Sequence, residues 1–180
     1  MEDTKTTVAA DGPREAAVDT PAREKTILIA EDSPGVVDLL QIILKDAGFN
    51  TAVAMDGQET IAKAREVRPD LILLDIMLPV MDGWEVATRL LTNSMTADIP
   101  IIFLTARAGI REQLRGWRMP IFEYITKPFE IDDLLQKVQA VLASEPDQRP
   151  ELRERLRREK LRTLLGMGAN SGEDDPGQGR

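Results

Sequence analysis

The sequence contains no cysteine and no histidine among its 180 residues. Without cysteine there are no disulfides, no thiol catalysis and no thiolate metal sites. The absence of histidine also excludes histidine-ligated zinc, serine–histidine nucleophile pairs and a phosphohistidine on this chain. Acid–base or group-transfer chemistry must therefore use carboxylates, lysine, hydroxyl groups and a hard cation.

Long apolar stretches are also missing. No run reaches about eighteen apolar residues, so the sequence predicts no membrane span. The first residues, MEDTKTTVAADG, are acidic near the start and lack the apolar core of a secretory signal. We therefore expect a cytoplasmic protein that does not contact a membrane.

The charge is strongly negative but unevenly distributed. The net charge is −8, residues 26–145 hold 18 acidic and 11 basic residues, and residues 146–165 hold 4 acidic and 7 basic ones. Nucleic-acid binders neutralise phosphates with clustered lysine and arginine. From the charge of the whole chain we do not expect DNA binding.

Short apolar runs alternate with helical periodicity from residue 26 onward. This alternation predicts an α/β fold, a doubly wound (βα)5 parallel sheet with right-handed crossovers. Residues 1–25 have the composition of a disordered leader, and residues 146–180 that of a charged helix at 150–165 followed by a disordered tail. The expected strands are 26–30, 51–55, 71–75, 101–105 and 121–126. The first expected helix begins at Pro34 and ends before Gly48. The other expected helices of the domain at 26–145 cover 57–67, 83–92, 107–118 and 130–143.

Polar side chains stand where the predicted strands end. Glu31 and Asp32 follow the first strand, Asp75 ends the third, Thr105 ends the fourth, and Lys127 follows the fifth. Parallel strands bring these positions to one edge of the sheet, where ligands bind in such folds. Three adjacent carboxylates raise one another's pKa unless a cation offsets their charge, and Mg²⁺ suits an all-oxygen site. With a lysine and a threonine nearby, the pattern predicts phosphoryl transfer to a carboxylate.

Three segments carry a family resemblance. LILLDIMLPVMDGWE (71–85), LTA (104–106) and YITKPF (124–129) resemble the receiver-domain signature of response regulators, the CheY-like family. The resemblance spans about residues 26–143 and implies a flavodoxin-like fold. It also implies two-component or phosphorelay signalling, with Asp75 as the residue that accepts the phosphoryl group.

The resemblance assigns further roles by position. It implies that Glu31, Asp32, Asp75 and the backbone carbonyl of Met77 hold Mg²⁺, Asp32 directly and Glu31 through water. Lys127 would pair with a phosphoryl oxygen.

It further implies that Thr105 binds another phosphoryl oxygen and that Ala106 leaves room for the group. Tyr124 would move as Thr105 shifts, and the bond between Lys127 and Pro128 would be cis, a geometry that only proline adopts at low cost.

The sequence departs from the family pattern before Tyr124. Here it reads Pro120-Ile121-Phe122-Glu123, where the family has Gly-Ala-Asp-Asp or similar. We expect Phe122 to add apolar surface, and a downstream protein effector to dock around Phe122 and Tyr124.

The resemblance also implies a set of partners. A histidine kinase or a histidine phosphotransfer protein would supply the phosphoryl group, and any homodimer would form through the face of helix 107–118, strand 121–126 and helix 130–143. Beyond its own phosphorylation and dephosphorylation we expect no enzymatic activity.

Two other classes share parts of this pattern. Haloacid dehalogenase-type phosphatases also use a strand-end aspartate, but with a second acid two residues later, where this chain has Met77. Flavodoxin-like cofactor binders share the fold, but Glu31 and Asp32 would repel a phosphate at the loop after the first strand. Turnover of free phosphate esters would support the first alternative, and flavin absorbance the second.

Overall fold

The structure is a computed structural model and describes residues 24–106 and 119–164. Most of the predicted leader, the predicted helix 107–118 and the predicted tail lie outside the described residues. The strands are β1 (Thr26–Ala30), β2 (Asn50–Ala54), β3 (Leu71–Asp75), β4 (Ile101–Thr105) and β5 (Glu123–Thr126). The helices of the described part, numbered in chain order, are α1 (Pro34–Asp46), α2 (Gly57–Val67), α3 (Gly83–Leu91), α4 (Ile131–Leu142) and α5 (Arg149–Leu164).

The five strands form one parallel sheet in the order β2-β1-β3-β4-β5. The chain first moves outward from β1 to β2, and then returns past β1 to β3. This reversal places the switch point between β1 and β3, where α/β sheets of this kind bind ligands. The predicted doubly wound, flavodoxin-like fold is confirmed.

Both faces of the sheet are covered, which explains why the strands are continuous apolar runs. One face packs on α2 and α3 and the other on α1 and α4. The first face contributes core residues such as Leu28, Ile72, Leu74 and Phe103. The second contributes residues such as Ile27, Ile29, Leu71 and Leu73.

Aspartates fix the start of two helices on the side of the sheet that carries the polar strand ends. Asp56 accepts a hydrogen bond from the backbone N–H of Glu59 at 2.8 Å, and Asp82 accepts one from the N–H of Glu85 at 2.8 Å. Such caps stabilise a helix by about 1 kcal/mol each. They hold the loops after β2 and β3 in place around the carboxyl edge of the sheet.

Strand β5 begins two residues later than expected. Ile121 and Phe122 are buried, as their apolar character predicts, but they precede the paired part of the strand. Phe122 donates its backbone N–H to the carbonyl of Ile101 at 2.9 Å. It therefore sits at the amino-terminal end of β4 and β5, far along the strands from the carboxyl edge.

Candidate functional site

Three carboxylates meet at the carboxyl edge of β1 and β3. Glu31 and Asp32 directly follow β1, Asp75 is the last residue of β3, and one carboxylate oxygen from each lies within 4.8 Å of the others. Glu31 and Asp75 are buried, whereas Asp32 is exposed. The neighbouring positions of β1 and β3 produce this cluster, as the strand-end pattern predicts.

Lys127 ties two of these carboxylates together. Its Nζ lies 2.5 Å from Oε2 of Glu31 and 2.5 Å from Oδ2 of Asp75. The lysine side chain is 18% exposed, while those of Glu31 and Asp75 are 1% and 7% exposed. A cation so placed offsets the charge of the two acids in a region that water reaches poorly.

The backbone around Lys127 fixes this position. Its N–H donates to the carbonyl of Thr105 at 2.8 Å, which joins the ends of β4 and β5. The peptide bond between Lys127 and Pro128 is cis.

Burial shifts the ionisation of the site. Burial raises the pKa of Glu31 above its usual range, and the hydrogen bond and charge of Lys127 offset this only in part. Burial alone would lower the pKa of Lys127, but its hydrogen bonds with Asp75 and Glu31 raise the pKa above the usual value. The lysine therefore stays protonated and serves as a fixed positive charge.

The loop after β3 holds the Asp75 side chain. The backbone N–H of Met77 donates to Oδ1 of Asp75 at 2.9 Å, while Oδ2 faces Lys127. Met77 is 60% exposed, and the group that contacts Asp75 is its backbone N–H.

The same loop packs against the start of α3 with almost no free space. Gly83 donates its N–H to the carbonyl of Ile76 at 2.9 Å. A Cβ atom at residue 83 would lie 2.3 Å from the backbone oxygen of Asp75, so glycine is required by close approach. Val80 adopts φ 67°. On either side of it, the backbone N–H of Met81 donates to the carbonyl of Pro79 at 2.7 Å, so residues 79–81 form a strained three-residue turn.

Thr105 and Tyr124 lie on adjacent strands. Thr105 ends β4 and is buried, and its register partner is Thr126. Ala106 follows it and is exposed, the last residue described before the gap at 107–118. Tyr124 is paired with Phe103 and is 3% exposed.

Tyr124 belongs to an aromatic cluster that sequence reasoning did not identify. Its ring stacks on Phe103 with centroids 5.6 Å apart, and Trp84 lies 4.8 Å from Phe103 and 6.5 Å from Tyr124. Trp84 is the second residue of α3, so the cluster links the loop after Asp75 to β5. Burial and the negative charge of Glu123 raise the pKa of Tyr124, so its hydroxyl stays neutral. Among the described residues that hydroxyl has no hydrogen-bond partner.

The expected docking surface at Phe122 is not available. Phe122 is 7% exposed because α5 covers it, with Leu152 in the same core cluster and the guanidinium of Arg153 5.7 Å from the ring centre. The apolar residue at this position therefore belongs to an internal contact. The expectation that a partner docks directly on Phe122 is wrong for this arrangement of the chain. The face expected for a homodimer includes residues 107–118, which are outside the described residues.

The sequence model of the response regulator receiver domain matches residues 27–139 of this chain. The match covers more than half of the chain, and the fold and the polar strand ends agree with it. The chain belongs to the response regulator receiver domain family. The resemblance drawn from the three sequence segments is confirmed, and the phosphatase and flavin-binding alternatives lose their support.

Several relatives are transcriptional regulators. The chain is 42% identical over 116 residues to the DNA-binding dual master transcriptional regulator RpaA of Synechocystis, covering 64% of this chain and 48% of that protein. It is 37% identical over 126 residues to the DNA-binding response regulator MtrA of Mycolicibacterium smegmatis, covering 70% of this chain and 54% of that protein. The chain thus spans about half the length of these relatives.

These relatives overturn one prediction. We did not expect DNA binding from the net charge of −8, yet RpaA and MtrA are DNA-binding regulators. A charge averaged over the whole chain is dominated by the acidic receiver residues. It does not report what a regulator containing such a domain binds.

Solved receiver structures have the same fold. The chemotaxis response regulator CheY4 of Vibrio cholerae is 30% identical with a TM-score of 0.62, over 66% of this chain and 98% of that one. The receiver domain of sensor histidine kinase PA1611 of Pseudomonas aeruginosa is 28% identical with a TM-score of 0.63, over 67% and 99%. The PA1611 structure has a magnesium ion coordinated in its active-site cleft.

Within residues 24–106 and 119–164, no helix is both long enough and apolar enough to cross a bilayer.

Proposed function

We propose that this chain is a phosphoryl-accepting switch of a two-component or phosphorelay system, acting in the cytoplasm. The donor is a phosphohistidine on a histidine kinase or a histidine phosphotransfer protein, and the acceptor is the carboxylate of Asp75. One observation carries the proposal: Asp75 lies at the sheet's switch point with Lys127 at 2.5 Å and two further carboxylates beside it. This arrangement combines a nucleophile, a fixed positive charge and a set of oxygen ligands.

The acidic cluster fits Mg²⁺. The cluster consists of oxygen donors, which hard divalent cations prefer, and it contains the exposed Asp32, which water and ligands can reach. Asp32, Asp75 and the backbone carbonyl of Met77 would hold the ion, with Glu31 acting through water. When bound, the ion offsets the negative charge that otherwise repels an incoming phosphate.

Transfer then requires only positioning and charge compensation. An oxygen of Asp75 forms a bond to phosphorus while the bond between phosphorus and the donor imidazole nitrogen breaks, and the electron pair leaves with the imidazole. Lys127 exchanges its contact with Oδ2 of Asp75 for a phosphoryl oxygen. Water later hydrolyses the acyl phosphate and restores Asp75. These steps act on the chain itself and include no turnover of another substrate.

Thr105 and Tyr124 carry the signal away from the site. The hydroxyl of Thr105 binds a second phosphoryl oxygen, with Ala106 leaving room for the group, and Tyr124 responds on the neighbouring strand. The surface altered in this way regulates a downstream partner. Because two relatives are DNA-binding regulators, DNA is the first target to test alongside protein effectors.

Acetyl phosphate provides a direct test of the acceptor. Incubation of the protein with acetyl phosphate and Mg²⁺ should add one phosphoryl group, measured by intact-mass spectrometry, and chelation of the cation should prevent the addition. Asp75→Asn should remove it because the amide is a poor nucleophile. Asp82→Asn is the matched control, since Asp82 lies in the same loop but caps α3, a role that asparagine also performs.

The outcomes separate the possible acceptors. Addition to the wild type and the Asp82 variant but not the Asp75 variant supports the proposal. Addition at an unchanged rate to Asp75→Asn would show that another residue accepts the group.

A further inference from the structure

The C-terminal helix α5 is fastened to the sheet at the end opposite the carboxylates. Leu152 is 8% exposed and lies in the same buried cluster as Phe122, and Leu156 packs beside it. Arg153 places its guanidinium 5.7 Å from the centre of the Phe122 ring, a cation–π arrangement. This helix is therefore packed on the domain through one of its faces.

Two arginines of α5 also bind backbone carbonyls of the loops that enter β4 and β5. Arg149 donates from Nη1 to the carbonyl of Asp98 at 3.0 Å, and Arg153 donates from Nη1 to the carbonyl of Pro120 at 3.1 Å. Asp98 precedes β4 and Pro120 precedes β5. The helix thus bridges the amino-terminal ends of the two strands that carry Thr105 and Tyr124.

The bridged segment leads directly into the residues of the proposed switch. Phe122 is two residues before Tyr124, and Lys127 follows the same strand at its other end. In this arrangement Lys127 contacts Asp75 and Glu31, and its N–H holds Thr105. On phosphorylation, Lys127 would exchange its contact with Asp75 for one with a phosphoryl oxygen. If β5 shifted with Lys127, the contacts of α5 with Pro120 and Phe122 would be weakened.

We propose that α5 is an autoinhibitory clamp: its docking at Phe122 and Pro120 holds β5 in the position in which Lys127 pairs with Asp75. Docking of α5 and phosphorylation of Asp75 therefore oppose each other. Because coupling between two sites is reciprocal, phosphorylation loosens α5, and loosening α5 favours phosphorylation. This inference rests on the proposed function of Asp75 and adds the element that regulates it.

The lack of cysteine in the chain makes docking measurable. In the full-length protein, Leu152→Cys places a single thiol under the docked helix, and Arg158→Cys places one on a side chain that is 72% exposed. Thiol modification is timed with and without acetyl phosphate and Mg²⁺, and intact mass gives the phosphorylated fraction. We expect phosphorylation to speed modification at position 152 about fivefold or more, the lower range of ordinary allosteric coupling. The rate at position 158 should not change.

The reciprocal effect is tested without a thiol. Arg153→Ala removes the contacts with both Pro120 and Phe122. Under the clamp proposal this increases the fraction of molecules in which β5 is free to shift, so the rate of phosphorylation by acetyl phosphate should rise several-fold. Arg157→Ala is the matched control, because Arg157 pairs with Glu154 of the same helix, and its rate should equal that of the wild type.

The two proposals fail in different ways. Phosphorylation of Asp75 with unchanged modification at position 152, or an Arg153→Ala rate equal to the wild-type rate, would overturn the clamp and leave the acceptor assignment intact. If neither the wild type nor any of these variants gained a phosphoryl group, the proposed function would be overturned and the clamp with it.

Discussion

The close contact between Gly83 and the Asp75 backbone predicts that replacing this glycine by alanine destabilises the protein, the opposite of the usual effect in a helix. Replacing a helical glycine by alanine normally stabilises a protein, by up to about 1 kcal/mol, because alanine loses less backbone entropy on folding. At position 83 the added Cβ would lie 2.3 Å from the oxygen of Asp75 and 2.8 Å from the Cα of Ile76. Both are backbone atoms, which cannot move aside as a flexible side chain can.

The magnitude follows from the cost of overpacking. Forcing one extra carbon into a well-packed site costs about 1–3 kcal/mol, so Gly83→Ala should lower the free energy of unfolding in spite of the better helix propensity. Gly35→Ala is the matched control. Gly35 is also in the first turn of a helix, but a Cβ there has nothing within 4 Å, so this variant should be neutral or more stable by up to about 1 kcal/mol.

Urea unfolding followed by far-UV circular dichroism measures both variants. With a slope of about 1–3 kcal/mol per molar urea, the two midpoints should differ by roughly 1 M. Gly83→Ala should also slow phosphorylation, because the displaced atoms belong to Asp75. If Gly83→Ala unfolds at the same urea concentration as Gly35→Ala, the close approach described for the loop is incorrect.

Further predictions concern buried and strained residues. Burial raises the pKa of Tyr124, the only tyrosine, so its phenolate absorbance should appear well above pH 10 in the folded protein; a midpoint near 10 would contradict this. Because the unfolded chain ionises first, stability should fall as the pH rises above about 10, and Tyr124→Phe should reduce that fall. Val80 is 73% exposed and has φ 67°, a conformation that asparagine tolerates better than valine. Val80→Asn should therefore raise the free energy of unfolding by about 0.5–1 kcal/mol, measured from the urea midpoint. A lower midpoint would argue against strain at this residue.

Much of the fold could be predicted because each part has a local signal. The runs ILIA, LILL and IIFL are buried on both faces of a parallel sheet, and only continuous apolar strands suit that position. The acidic and basic strand ends converge because all strands are parallel. The grouping of Glu31, Asp32 and Asp75 needed no more than this rule.

Other features depend on contacts that a single sequence does not reveal. The ion pair of Lys127 with Glu31 joins residues 96 positions apart, and the sequence led us to expect a contact of Lys127 with a phosphoryl oxygen rather than with this carboxylate. The burial of Phe122 depends on α5, which the sequence indicated only as a charged helix at 150–165. Leu152 and Leu156 on one side of that helix were the available signal. Two leucines among seven basic residues were too little to predict that the helix covers Phe122.

The central claim is that the side chain of Asp75 forms the acyl phosphate. Borohydride reduces an aspartyl phosphate to homoserine, so the phosphorylated protein can be reduced, digested and sequenced by tandem mass spectrometry. We predict homoserine at position 75 and at no other acidic residue, with none formed when Mg²⁺ is withheld. Homoserine at position 32, or retention of the phosphoryl group with aspartate unchanged at position 75, would contradict the account.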